Sequence, residues 1–212
     1  MRPLEQLHET FVFTRRVRVL CTHLASLLPP DVTLVDVGCG DGLLDALLVQ
    51  QRPDIQLQGL DVLRRPASRI PVTVFDGLTL PLADQSIDVA MFIDTLHHTD
   101  DPMVLLREAR RVARQAIVIK DHLQEGLLAQ ATLRFMDQVG NARHGVALPH
   151  NYWTRQQWLE AFDALGLDIR AWRNRLGLYA WPATWWFDRS LHFICSLRLS
   201  ASAAHQDAGA KR

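Results

Sequence analysis

Three observations predict an α/β fold built on a doubly wound, mostly parallel sheet. Short apolar runs alternate with helix-forming stretches from residue 31 to 122, which implies a sheet covered on both faces. Successive strand-like runs end in an acid, at Asp36, Asp61 and Asp76. The first of them stops at a turn with closely spaced glycines, Gly38, Gly40 and Gly42.

The elements follow in order. Residues 4–28 place Leu7, Phe11, Val12, Val19, Leu20, Leu24, Leu27 and Leu28 at helical spacing before Pro29-Pro30, a leading helix whose Arg15, Arg16 and Arg18 read as a solvated face. Val32 to Val35 is apolar and β-branched, as a buried parallel strand requires, and Leu43 to Leu48 is made of good helix formers. In the turn between them, glycines allow positive φ and close backbone approach, while the next helix offers unpaired N–H groups. Such a turn holds a ribose or an anionic group.

Gln56 to Asp61 reads as a second strand, and its acid falls about twenty residues on, where a carboxylate accepts from ribose hydroxyls. Val72 to Phe75 precedes Asp76, and Ser86 to Ala90 opens a fourth strand, with Leu96-His97-His98 in the turn after it. Asp101 is an N-cap and Pro102 the first helical residue of a helix to Ala113, which passes through Arg114-Gln115 straight into Ala116 to Ile119. Residues 123–150 leave the pattern: Leu127, Leu128, Ala131, Leu133, Phe135, Met136 and Val139 predict a helix, followed by a loop through Gly145 to Pro149. Lying above the carboxyl edge, where ligands bind, this insertion is the expected lid and substrate wall. Thr154 and Gln157 have capping-box spacing for a helix stopped by Gly166; Leu167 to Trp172 and Leu191 to Leu197 read as the last strands. One domain over 1–200 results, comprising the leading helix, a core at 31–122, the lid at 123–150 and a C-terminal helix with edge strands at 151–200; residues 201–212 read as a disordered tail.

Composition narrows the function. Apolar content of 48% and a formal net charge of zero give no electrostatic case for nucleic acid. Cys21, Cys39 and Cys195 are widely separated and lack metal-ligand spacing, so they read as free thiols of a reducing, cytoplasmic compartment. Met1 to Gln6 runs into polar residues, which predicts no signal peptide, and no segment is long and apolar enough to span a bilayer.

The glycine spacing separates cofactors. A dinucleotide fingerprint would put its third glycine where Leu43 stands; the chain has G-x-G-x-G instead. A pyrophosphate would also be repelled by Asp36 and Asp41, whereas three strand-end acids suit a ligand with an adenosine and a cationic part. With Asp76-Gly77-Leu78-Thr79-Leu80-Pro81 as a D-x-x-x-L-P segment, the stretch from Leu34 to Lys120 resembles the class I S-adenosylmethionine-dependent methyltransferases of small-molecule type. The resemblance implies a Rossmann-like sheet of seven strands, the last two forming an antiparallel edge hairpin. It also implies S-adenosylmethionine as cofactor, with Asp36, Gly38, Cys39, Gly40 and Gly42 around the methionine part, Asp61 at the ribose, Asp76 at the adenine, and Val62, Gly77 and Asp94 also among the cofactor-binding residues.

Methyl transfer from a sulfonium is an in-line displacement, so alignment in a dry pocket is the main requirement and a base is optional. By resemblance His98 is the first choice for that base and His97 the second; both also suit a turn-shaping role with Asp100 and Asp101. Asp121 and His122, directly after the fifth strand, read either as substrate contacts or as a solvated loop pair, and His150 and Tyr152 as lid residues that orient a polar substrate group or serve the structure. His97, His98, Asp100, Asp101, Asp121 and His122 are possible metal ligands, but no spacing fixes a site, and no metal is expected. The aromatic segment 178–187 reads as edge packing or, alternatively, as a greasy wall for a lipid-like acceptor or a peripheral membrane contact. The function expected is methyl transfer to a small, hydrophobic acceptor; the alternative is a non-catalytic cofactor-binding partner or regulator.

Overall fold

The computed structural model describes residues 14–141 and 149–200. Leu7, Phe11 and Val12, the Gly145 loop and the tail 201–212 lie outside the described residues. In chain order the elements are α1 (Thr14–Leu27), β1 (Thr33–Val37), α2 (Leu43–Gln51), β2 (Gln56–Asp61), β3 (Val72–Val74), β4 (Ile87–Ile93), a 3₁₀ turn (Leu96–His98), α3 (Pro102–Val112), β5 (Ala113–His122), α4 (Ala129–Asn141), α5 (Arg155–Ala164), β6 (Leu167–Arg173), α6 (Ala183–Phe187) and β7 (His192–Leu199).

The seven strands form one sheet in the order β3-β2-β1-β4-β5-β7-β6. β7 runs antiparallel to both its neighbours, and the remaining pairs are parallel. From β1 the chain winds outward through β2 and β3, then returns to β4 on the other side, so the carboxyl ends of β1 and β4 flank a topological switch point. Period-two alternation feeds two cores. Val35, Val37, Ala90, Phe92, Ile117 and Ile119 face α3 and α5, while Leu34, Val89, Met91 and Val118 face α1 and α2. Both helix-start signals are realised: the Asp101 side chain accepts from the Met103 N–H at 2.9 Å, and Thr154 and Gln157 close a reciprocal capping box. Among the described residues no helix is long and apolar enough to cross a membrane.

Two expectations fail here. Strand β5 runs from the helix end at Ala113 through His122, so Asp121 and His122 are its last residues and no solvated loop pair; they are 0% and 3% exposed. The physical reason is pairing: β5 stays bonded to β7 up to His122 opposite His192, with the backbone pinned to the tip. The second failure is Arg16, expected on a solvated face; its guanidinium reaches Asp94 at 2.9 Å instead. The aromatic segment divides. Tyr179 and Phe187 pack together, ring centroids 5.4 Å apart, but Trp181 and Trp185 are 87% and 75% exposed and take no part in edge packing.

Candidate active site at the carboxyl edge

The glycine turn is built by exclusion. A Cβ on Gly38 (φ +82°) would lie 2.4 Å from Thr95 Cγ2, so only glycine lets the loops after β1 and β4 close on one another. Gly40 (φ +62°) has no atom within 4 Å of its would-be Cβ and faces open space. The Gly40 N–H donates to Asp61 Oδ2 at 2.8 Å, and Asp61 Oδ1 accepts from Leu63 N at 2.9 Å, which fixes that carboxylate at the tip of β2. Cys39 Sγ fills the space over Gly59, and burial raises its thiol, making it a filler and no nucleophile. Asp76 is exposed; hydrogen bonds from the Thr79 and Leu78 backbone N–H groups hold its pKa low. Between Asp61 and Asp76 stand the exposed apolar side chains of Val62 and Leu78, with Val62 3.1 Å from a Cβ built on Gly77.

Beneath the turn, Asp36 and Asp45 are buried against each other. Asp36 Oδ1 and both Asp45 oxygens have no hydrogen-bond donor among the described residues. Burial first, then mutual repulsion and Asp61, push Asp36 well up, and burial raises Asp45 to about 7. Donor-starved buried carboxyls fit a cationic ligand and not a pyrophosphate.

On the other side of Thr95 lies a second, denser arrangement. Asp94 takes Arg16 on Oδ2 and the Lys120 ammonium on Oδ1. Asp121 Oδ2 accepts from the Leu96 N–H at 3.1 Å, and Asp121 Oδ1 faces His97 Nδ1 at 2.6 Å. The far nitrogen of His97, Nε2, lies 3.4 Å from Asp137 Oδ1, on α4, and Asp137 Oδ2 accepts from the Tyr152 hydroxyl. Burial alone would depress His97, but Asp121 and Asp137 outweigh it and raise it to about 10. His98 is the opposite case: burial and the neighbouring His97 charge lower it to about 4, and its buried Nδ1 has no hydrogen-bond partner among the described residues. Burial also lowers His122, together with His97 and Lys120.

Donor atoms of Asp94, His97, Asp121 and His122 lie within 4.8 Å of one another, a possible cation cage. Within that group Asp94 already faces Arg16 and Lys120, and His97 lies between Asp121 and Asp137.

The fold thus brings Asp36, Gly38, Cys39, Gly40, Gly42, Asp61, Val62, Asp76 and Gly77 to one side of the switch point, and His97, His98, Asp121, His122, His150 and Tyr152 to the other. Asp121, His122 and Tyr152, expected at the substrate, are buried and held within the network, whereas His150 is half-buried, its Nδ1 3.2 Å from the Tyr152 hydroxyl. Asp94, expected at the cofactor, has both oxygens committed to Arg16 and Lys120. The sequence reading missed Arg16, Asp45, Lys120, Asp137 and His192. One signal was available for Lys120: it is a lone charge at the end of Ile117-Val118-Ile119, in a chain whose other lysine is Lys211.

Comparison with known proteins agrees with this geometry. Residues 35–117 match the family model described as a methyltransferase domain. The chain is 28% identical over 110 residues to 27-O-demethylrifamycin SV methyltransferase of Amycolatopsis mediterranei, covering 45% of this chain and 40% of that protein. The match therefore spans about two fifths of the relative. Among solved structures, a SAM-dependent methyltransferase from Aquifex aeolicus superposes with a TM-score of 0.62 at 15% identity, covering 94% of this chain and 99% of that one. The [4+2]-cyclase SpnF superposes with a TM-score of 0.61 at 20% identity, covering 87% and 80%. Residues 35–117 thus match a methyltransferase-domain model, on a fold shared with solved S-adenosylmethionine-dependent methyltransferases.

Proposed function

We propose that this chain transfers a methyl group from S-adenosylmethionine to a small, hydrophobic acceptor held at the carboxyl edge of β4 and β5. What carries the reading is the juxtaposition, across the contact of Gly38 with Thr95, of a donor-starved carboxyl pair under an open glycine turn and a half-buried histidine packed on His97. When bound, the cofactor supplies an electrophilic methyl group on a cationic sulfur. In this assignment Asp36 and the Gly38–Gly42 turn hold the methionine part, Asp61 the ribose, and Asp76 with Gly77 and Val62 the adenine. Asp94 is assigned to the polar edge, where Arg16 and Lys120 occupy it.

The base is His98. A half-buried imidazole held neutral by burial and the neighbouring His97 charge accepts a proton from an acceptor hydroxyl or amine. His97 is excluded from that role because both its nitrogens face carboxylates. Its role, with Asp121, Asp137 and Tyr152, is to fix the 3₁₀ turn that presents His98. Helix α4, tied to that turn through Asp137, serves as the lid. Leu133 and Met136 of α4, packed with Tyr152, supply the hydrophobic surroundings of the acceptor.

The first test is isothermal titration with S-adenosylmethionine, S-adenosylhomocysteine and NAD, on wild type and Asp61→Ala. Micromolar binding of the two sulfur ligands, lost in the variant and absent for NAD, is expected. Mass spectrometry of a lipophilic acceptor panel then follows, with turnover reduced about 10²–10⁴-fold in His98→Ala at unchanged cofactor affinity. Intact binding with no turnover on any acceptor would favour the non-catalytic reading instead.

A further inference from the structure

Helices α4 and α6 leave a large apolar surface in water. Leu127 is 83% exposed, Leu128 57% and Phe135 57% at α4; Trp181 is 87%, Trp185 75% and Trp186 44% at α6. The two groups form one face. Arg189 lies over the Trp186 ring, 5.4 Å from its centroid, and donates to Thr132 Oγ1 at 3.1 Å; Thr132 stands on α4 between Leu128 and Phe135 at helical spacing. Met136 of α4 also packs against the same core cluster as Ala183 and Phe187 of α6. A patch of this kind on a soluble domain marks an interaction site.

Its charge says what covers it. The exposed or partly exposed charges in or next to these segments are Arg134, Arg175 and Arg189 and the acids Glu125 and Asp188, a net positive set. The acids are engaged within the chain: Asp137 is bound to His97 and Tyr152, the Asp188 carboxylate accepts from the Leu178 and Tyr179 backbone N–H groups, and the exposed Glu125 accepts from the Arg155 N–H at the start of α5. A two-fold contact would lay this cationic rim on itself, which disfavours a second copy. Tryptophan and leucine tips inside an arginine rim match the layered polarity of a membrane interface, where indole sits at headgroup depth and arginine meets lipid phosphate.

We infer that the α4–α6 face docks on an anionic lipid surface. The same two helices border the polar edge, α4 through Asp137 and α6 through Tyr179, whose ring lies 5.4 Å from Phe187 and 6.1 Å from His192. Docking there sets the acceptor side of the site against the bilayer. The inference stands apart from the methyl-transfer reading, because vesicle binding is read without cofactor or turnover.

The test is co-sedimentation of the full chain with vesicles of phosphatidylcholine alone and of phosphatidylcholine with phosphatidylglycerol. Wild type is expected to partition about tenfold more strongly onto the anionic vesicles, less so as salt rises, with a blue shift of tryptophan emission. Trp181→Ala with Trp185→Ala lowers that partition about tenfold, with the circular dichroism spectrum and S-adenosylmethionine affinity of wild type. Failure of folded wild type to bind either vesicle overturns the inference, as does binding that ignores the tryptophan substitutions. A wild-type dimer in ultracentrifugation that these substitutions convert to monomer would also overturn it and give the face to a second copy.

Discussion

Asp36 and Asp45 put two carboxyls side by side in a dry pocket, and the folded protein keeps a proton there that the unfolded chain gives up. With Asp45 raised from its ordinary 3.8 to about 7, stability falls as pH rises through that window and levels off above it. Asp45→Asn supplies a permanent amide donor to Asp36. We expect that variant to lose the decline and to melt a few degrees higher than wild type at pH 8, by thermal denaturation. A cationic ligand beside Asp36 favours the ionised pair, so titrations at pH 6 in buffers of different ionisation enthalpy should report proton release on binding. The glycines separate fold from site in the same way. Gly38→Ala meets Thr95 and costs about 2–4 kcal/mol, whereas Gly40→Ala meets open space, costs about 1–2 kcal/mol, and lowers cofactor affinity more than tenfold. Melting curves and calorimetry on both variants decide it; equal affinity loss at both positions would contradict the assignment.

At the scale of elements, β1 and β4 are clipped together by one side chain. Asp88 accepts from Thr33 Oγ1 at 2.7 Å, from the Thr33 N–H at 2.9 Å and from Gln115 at 2.8 Å. The Thr33 bonds, chiefly, hold its carboxyl at about 2. A lowered carboxylate contributes stability that is whole above its ordinary 3.8 and is lost as pH falls from there toward 2. Asp88→Asn is therefore expected to blunt acid destabilisation over pH 4 to 2 while changing little at pH 7; an unchanged acid limb in urea denaturation would refute this. Helix ends were readable in the sequence because their chemistry is local: Asp101-Pro102 and Thr154 with Gln157 need only a few residues in a row. The end of β5 was not, since it depends on β7, some seventy residues later in the chain, pairing His192 with His122.

For the whole molecule, the polar edge is where distant segments are fastened. Arg16 of α1, Asp94 after β4, Lys120 of β5 and Asp137 of α4 meet at one tip of the sheet. Lys120 is fully buried, so Lys120→Met leaves Asp94 with Arg16 and the more distant His122 Nδ1 and should cost about 3–5 kcal/mol, and adding Asp94→Asn should recover part of that loss. A double-mutant cycle by chemical denaturation measures the coupling; additive losses would mean that the pair does not act as a unit.

The sequence by itself determined the alternation of strands and helices, the glycine turn with Asp36, Asp61 and Asp76 at successive strand ends, and the family those features resemble. These signals are local, because periodicity, capping and positive φ act between residues a few positions apart. Only the tertiary structure decided that Arg16 leaves the solvated face, that Asp121 and His122 are buried, and that His97 is clamped between carboxylates while His98 packs on it half-buried. It alone decided that the tryptophans of α6 stand in water beside α4. Each of these depends on partners that are distant in sequence, Arg16 and Asp94 lying 78 residues apart, and the sheet register and helix packing bring such charges and apolar faces together.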